Sequence, residues 1–214
     1  MKRRVVLLGP PASGKGTQAE LIRVRYKIPT TSTGAILRQE ARAGTALGRE
    51  AEKIISGGQL APDEFVLGLV DSWLREQSGS FLLDGFPRTV KQAETFDELL
   101  ASRSEPLELA IFLDVTLETI THRMARRLTC TRCGKIVSVG RHVSSVNEPC
   151  PNCGGPLEIR SDDNPQSLKV RMEEFRQKSL PVTGFYRDRQ VLAEIPADDD
   201  VEAVFNKIAQ RIEE

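Results

Sequence analysis

The stretch RRVVLLGPPASGKGTQAELIRVRY, residues 3–26, decides how the rest of the chain is read. It opens on Val5, Val6, Leu7 and Leu8, a continuous apolar run of the kind carried by a strand buried on both faces. Gly9 and Pro10 end the run, which is too short for a signal-peptide core or a membrane span. Residues 15–26 then carry a helical pattern. Between strand and helix, GPPASGKGT (9–17) fits G-x-x-x-x-G-K through Gly9, Gly14 and Lys15. Such a loop turns successive backbone N–H groups toward phosphate oxygens, the following helix adds its positive end, and the lysine brings a full charge. Gly9, Ala12, Ser13, Gly14, Lys15, Gly16 and Thr17 are the candidate phosphate-binding residues. Gly16 stands directly after the lysine, where the general motif has Ser or Thr, and Thr17 follows it.

Outward from this loop, short apolar runs alternate with amphipathic stretches. Residues 81–85, 109–115 and 191–196 read as further buried strands. Residues 62–77 place Phe65, Val66, Leu69, Val70, Trp73 and Leu74 at helical spacing, behind Pro62, Asp63 and Glu64. Val201, Val204, Phe205, Ile208 and Ile212 form a closing stripe after the acidic run 198–200. The alternation predicts an α/β domain with a doubly wound parallel sheet, of the P-loop type. Two segments interrupt it. Residues 30–61 read as helices without a strong strand, broken by Gly44, Gly48, Gly57 and Gly58, and residues 128–160 hold the cysteines and many turn formers. The expected organisation is a core of 1–29, 62–121 and 161–214, an insert at 30–61 and a second insert at 122–160.

The 214 residues suffice for one substantial core plus small appendages. Thirty basic and thirty acidic side chains cancel, so nothing in the overall charge favours nucleic acid or an anionic membrane. Neither an apolar span nor a secretory leader is read, and a cytoplasmic protein is expected.

All four cysteines lie in CTRCGKIVSVGRHVSSVNEPCPNC, residues 130–153. Cys130/Cys133 and Cys150/Cys153 enclose sixteen residues, and each pair is followed by glycine. The pattern C-x2-C-x16-C-x2-C fits a four-cysteine zinc site with no open position, hence a structural one. Redox dithiols or local disulfides are the alternatives. His122 and His142 are not needed as ligands. The insert is too small to bury much core, so a metal cross-link would hold it. A zinc-ribbon module that captures nucleic acid is the competing function. Residues 130–153 lack the aromatic platforms and dense basic stripe that such capture needs.

GKGTQ (14–18), STG (32–34) and FLLDGFPRT (81–89) together resemble the adenylate kinase family of nucleoside monophosphate kinases, in its long form with a zinc-bearing lid, over essentially the whole chain. The resemblance implies reversible, Mg2+-dependent transfer of the ATP γ-phosphoryl group to AMP, giving two ADP. It matches Lys15, Arg38, Arg88, Arg123, Arg127, Arg160 and Arg171 to the family's phosphate and catalytic cations. Arg38 and Arg88 would hold the AMP phosphate. Arg127, Arg160 and Arg171 would close on the transferring group, and Arg123 would flank the ATP base. Thr33 and Gln92 match the AMP-nucleoside contacts; the resemblance also gives Gly85, Arg160 and Arg171 to the AMP site and Arg127 to the ATP site. Arginine suits these tasks because its planar fork grips two phosphate oxygens. Asp84, at a strand end near the loop, is a candidate outer ligand of Mg2+ through water. Asp162 and Asp163 either orient arginines, or Asp163 and Asn164 cap the helix opening at Pro165. Ala12 replaces a glycine usual in the family, Ala35 stands where aspartate is frequent, and Leu128 takes the second place of an Arg–Arg pair. A kinase for CMP, UMP or GMP, or one that takes GTP as donor, is the nearest alternative. A single active site under its own lid predicts a monomer with no nucleic-acid or membrane partner.

Overall fold

A computed structural model describes residues 1–36, 62–77, 79–160 and 162–214. The central sheet has five parallel strands: β1 (Arg4–Leu8), β2 (Thr30–Ser32), β3 (Phe81–Asp84), β4 (Leu109–Asp114) and β8 (Leu192–Pro196). Their order is β2-β3-β1-β4-β8. Register pairs Val5 with Leu82 on one side and with Leu109 on the other. The alternation along β1 explains why its sequence is apolar throughout. Val6 and Leu8 face one core with Leu83, Ala110 and Phe112, and Val5 and Leu7 face another with Leu82, Ile111 and Leu113.

Helices cover both faces. α1 (Lys15–Tyr26) and α7 (Val201–Glu213) lay Ala19, Ile22, Val204, Ile208 and Ile212 against the second core. The first core takes Val66, Val70 and Leu74 from α2 (Asp63–Arg75), Ala93, Phe96 and Leu100 from α3 (Val90–Ser102), and Val182 and Tyr186 from α6 (Pro181–Asp188). This is the doubly wound parallel arrangement read from the alternation. The chain winds to opposite sides of β1, so a crevice opens at the C-terminal ends of β1, β3 and β4, where such sheets hold their ligands.

The expectation of no strand within 30–61 is corrected at one end. Thr30–Ser32 pairs with residues 82–84 as one of the sheet's two edge strands. Three polar residues carry no apolar pattern, and the strand exists because β3 offers it a parallel partner. Helical turns follow at 33–36, where the Ala35 N–H donates to Ser32 Oγ at 3.0 Å. Gly44, Gly48, Gly57, Gly58, Arg38 and the rest of 37–61 lie outside the described residues.

The second insert folds as a small antiparallel sheet, β6-β5-β7, from β5 (Arg127–Cys130), β6 (Ile136–Ser138) and β7 (Leu157–Glu158). It follows α4 (Leu117–Ala125), which carries Arg123. Its core is small, as its length implies. Leu128, Val137, Val143 and Leu157 close around Cys130 and Cys150 as a miniature core. Leu128 is 2% exposed there, which accounts for an apolar residue at a place the resemblance gives to arginine. α5 (Pro165–Glu174) returns the chain to the main body, and a π-helical turn, Phe175–Ser179, joins it to α6. No helix among the described residues is long and apolar enough to cross a membrane.

Candidate active site

The loop after β1 needs glycine at its first position. Gly9 has φ of +143°, and a Cβ there would meet the Leu113 carbonyl oxygen at 2.9 Å and Ser13 Oγ at 3.0 Å. Ala12 also has positive φ, 57°, a conformation costing roughly 1–2 kcal/mol for a residue with Cβ. Its methyl packs against the small cluster of Ile120, Met124 and Leu168, which offsets the strain and explains how alanine is tolerated where glycine is usual. α1 starts with no acidic residue in its first turn and no side-chain cap, so its N–H groups keep their affinity for an anion.

Lys15, the first residue of α1, folds back over its own loop. Its Nζ donates to the carbonyls of Gly9 at 2.8 Å and Pro10 at 2.7 Å, and to Ser13 Oγ at 3.2 Å. Burial lowers its pKa to about 7 from 10.5; Asp84 opposes the shift, while Arg88, Arg171 and Arg127 add to it. These same groups mark the site, because residues 69 to 156 positions away in sequence converge on one ammonium. Asp84, at the end of β3, abuts Gly16, whose Cβ would lie 3.4 Å from Asp84 Oδ2. Arg88 Nε donates to the Gly85 carbonyl at 2.6 Å, and burial depresses the Arg88 pKa against the pull of Asp84.

Arg127, Arg160 and Arg171 are held by two adjacent carboxylates. Arg127 makes a fork with Asp163, with Nε to Oδ2 at 2.7 Å and Nη2 to Oδ1. Arg160 makes a second fork with Asp162 at 2.9 and 2.8 Å. Arg171 reaches Asp162 Oδ2 at 3.0 Å and Asp163 Oδ1 at 3.6 Å. Burial works to raise the Asp162 pKa, and the charges of Arg160 and Arg171 outweigh it, leaving that carboxyl below its usual range. The two readings of this segment separate here: Asp162 and Asp163 orient arginines, and Asn164 alone caps α5, accepting from the Ser167 N–H at 2.9 Å.

Arg123 lies elsewhere. Its guanidinium bridges the carbonyls of Ser13 at 2.9 Å, Ala197 at 2.7 Å and Asp199 at 3.2 Å, tying the loop to the acidic run before α7. Gln92 and Thr33 are both buried. Thr33 Oγ1 is 3.5 Å from the Gly85 carbonyl, and the Gln92 amide sits beside Arg88. Two residues of this site carry no signal in the sequence. Ser179, placed by the π-turn, donates to the Arg88 carbonyl at 3.0 Å, and Asp63 accepts from both Thr89 and Gln92. Asp63 reads as a helix-start acid, and only the fold reveals its second neighbour.

The four cysteine sulfurs lie within 4.8 Å of one another, a cluster that could hold a metal ion. Cys130 and Cys153 sulfurs are 3.5 Å apart, and those of Cys133 and Cys150 are 3.8 Å apart. Zinc–sulfur bonds of about 2.3 Å give a tetrahedral edge of ~3.8 Å, so these spacings suit four thiolates around one ion. The two turns are built alike: Gly134 N–H donates to the Cys130 carbonyl at 2.9 Å, and Gly154 N–H to the Cys150 carbonyl at 2.8 Å. Gly155 must lack a side chain, because a Cβ there would meet Arg132 Cβ at 2.7 Å and Cys130 Sγ at 3.1 Å. His122 and His142 are exposed, and His142 Nδ1 accepts from the Ser138 N–H at 3.1 Å.

Comparison with known proteins agrees with this geometry. The family model described as adenylate kinase matches residues 7–191. Curated relatives named adenylate kinase include those of Thermodesulfovibrio yellowstonii (39% identical over 212 residues, 98% of this chain and 99% of that one), Moorella thermoacetica (40% over 211 residues, 98% and 97%) and Clostridium botulinum (39% over 208 residues, 96% of each). A phosphate loop after β1, cations converging on its lysine, and relatives matched almost end to end lead to one assignment: the chain belongs to the adenylate kinase family.

Proposed function

We propose that the chain transfers the γ-phosphoryl group of ATP to AMP, reversibly, giving two ADP. The observation that carries this beyond family membership is the packing of Lys15 and Arg88 around Gly85, whose Cβ would lie 3.2 Å from Arg88 Nη2 and 3.8 Å from Lys15 Cε, with Arg127 and Arg171 gathered on Asp163 and acting electrostatically on the same ammonium. Phosphoryl transfer asks little covalent chemistry of a protein and much charge stabilisation in a site closed to water.

In this reading the loop 9–17 and the α1 N-terminus take the ATP phosphates. Lys15 exchanges its loop carbonyls for phosphate oxygens, and Arg123 borders the donor nucleotide from the 197–199 side. Thr33, Arg38, Gly85, Arg88 and Gln92 serve AMP. Arg127, Arg160 and Arg171 meet the transferring group, already aimed by Asp162 and Asp163. Thr17 and Asp84 are the residues suited to Mg2+, Asp84 through water; the ion would neutralise charge on the β- and γ-phosphates.

Residues 122–160 act as the lid and carry a structural zinc ion on Cys130, Cys133, Cys150 and Cys153. Ile136 Cδ1 lies 3.6 Å from where a Cβ on Gly16 would be, and Arg141 reaches Glu202 at 3.4 Å, so the small sheet sits over the phosphate loop. Closure there excludes water that would otherwise hydrolyse ATP. In this reading the core takes in 1–32, 62–121 and 161–214, since β2 pairs within the central sheet, and the acceptor insert is the remaining 33–61. A monomer in the cytoplasm, binding no nucleic acid, completes the proposal.

Arg88→Ala tests it. Turnover falls by roughly 10²–10³-fold or more, the range for removing one preorganised stabilising group. Near-normal turnover would place the chemistry elsewhere.

A further inference from the structure

Asp63 opens α2 behind Pro62, and its carboxylate closes a ring with the start of α3. Thr89 Oγ1 donates to Asp63 Oδ2 at 2.9 Å, and Gln92 Nε2 donates to Asp63 Oδ1 at 2.7 Å. The Gln92 N–H donates to Thr89 Oγ1 at 3.0 Å. On its other side, Gln92 Oε1 accepts the Arg88 N–H at 2.7 Å.

These partners leave the amide one orientation. A carboxylate accepts hydrogen bonds and donates none, so it binds Gln92 only through the amino group. A backbone N–H donates only, so it binds Gln92 only through the oxygen. Ordinarily the two ends of a glutamine amide interchange by a half-turn at little cost. Here a half-turn would set oxygen against carboxylate and amino group against N–H. The described bonds use one amide hydrogen and one oxygen lone pair, leaving one donor and one acceptor side by side in fixed order.

That order matters for a purine. Adenine presents an amino donor beside a ring-nitrogen acceptor. Guanine and hypoxanthine present a carbonyl acceptor beside a ring N–H. An amide free to turn could satisfy either pattern, whereas a fixed one satisfies only one. We infer that Asp63 is a positioning residue that locks the Gln92 amide and thereby makes the acceptor site select 6-amino over 6-oxo purine monophosphates. This rests on the proposed placement of Gln92 at the acceptor base.

The test uses the full-length enzyme, with AMP and IMP as acceptors at saturating MgATP. Asp63→Asn keeps the size of the side chain but can donate as well as accept. It lowers the ratio of kcat/KM for AMP over IMP by about tenfold, mainly through a higher KM for AMP, and leaves the KM for ATP unchanged. Asp63→Ala gives the same direction and guards against an accidental hydrogen bond from asparagine. In a Gln92→Ala background, Asp63→Asn produces no further change in the ratio. An unchanged AMP:IMP ratio in both Asp63 variants, with Gln92→Ala still raising the KM for AMP, would overturn the positioning role alone. A Gln92→Ala enzyme with unaltered KM for AMP would overturn the placement of the acceptor base itself. A proportional loss with both acceptors would mark Asp63 as structural only and also overturn the inference.

Discussion

Asp163→Asn removes one charge from a buried cluster without changing its shape. Asp163 has a fully enclosed side chain, and Arg127, which it holds by a fork, is 13% exposed. Removing one partner of a buried pair typically costs 3–5 kcal/mol, because the other charge is left uncompensated. Asparagine retains one acceptor for Arg127, and Asp162 still faces Arg171, so the lower end, about 3 kcal/mol, is expected. For a chain of this size that corresponds to a fall of roughly 6–12 °C in Tm. The sign of the nucleotide effect follows from the same charges. Bound polyphosphate supplies the negative charge that the substituted side chain lacks, so saturating ATP narrows the gap between variant and parent to about half. By linkage, halving a gap of about 3 kcal/mol means that ATP binds the variant roughly tenfold more tightly than the parent. Turnover nevertheless falls, because Arg127 and Arg171 lose the partner that aims them. Differential scanning calorimetry with and without ATP measures both quantities. A fall below about 2 °C without nucleotide would refute the buried-pair reasoning. A fall equal with and without ATP would show that these arginines do not face the phosphates.

Three further outcomes follow. Lys15 has a folded pKa near 7 against 10.5 in the open chain, so between these values the unfolded state holds more protons, and the Lys15 contribution to stability without nucleotide rises with pH across that window. Phosphates favour the ammonium, so ATP binding at pH 8 takes up close to one proton and weakens as pH climbs above 7; calorimetry in buffers of different ionisation heat shows it, and equal uptake by Lys15→Ala would contradict it. The proposed zinc ion is tested by stripping metal from the cysteine cluster, verified by elemental analysis: the expected outcome is a Tm lower by about 5 °C or more while the fraction still folded keeps its turnover, and an unchanged melting curve would remove the proposed structural role.

Some of this was legible in the sequence, for identifiable reasons. The buried strands announced themselves because a parallel sheet covered on both faces needs continuous apolar residues, as in Val5–Leu8 of β1. The phosphate loop and the paired cysteines were legible because their chemistry fixes residue types at short spacings. Strand Thr30–Ser32 was missed because an edge strand of three polar residues is specified by its neighbour β3, not by its own pattern. The roles of Asp162, Asp163 and Asn164 stayed open until the fold brought Arg127 and Arg171 to the first two. Leu128 read as a missing arginine, and its reason is the small core it shares with Val137 and Leu157. Asp63 and Ser179 were invisible as site residues, since both act through hydrogen bonds to groups 26 to 91 positions away.

The central claim is the reaction, and a panel of acceptors tests it most directly. Purified protein with Mg2+ and ATP is mixed in turn with AMP, CMP, UMP and GMP, and the products are separated by chromatography. The account predicts rapid formation of two ADP with AMP, run backward when ADP alone is supplied, and little or no transfer to the other monophosphates. Preference for a different acceptor would contradict the assignment of Thr33 and Gln92, and ATP hydrolysis without transfer to any of them would contradict the kinase itself.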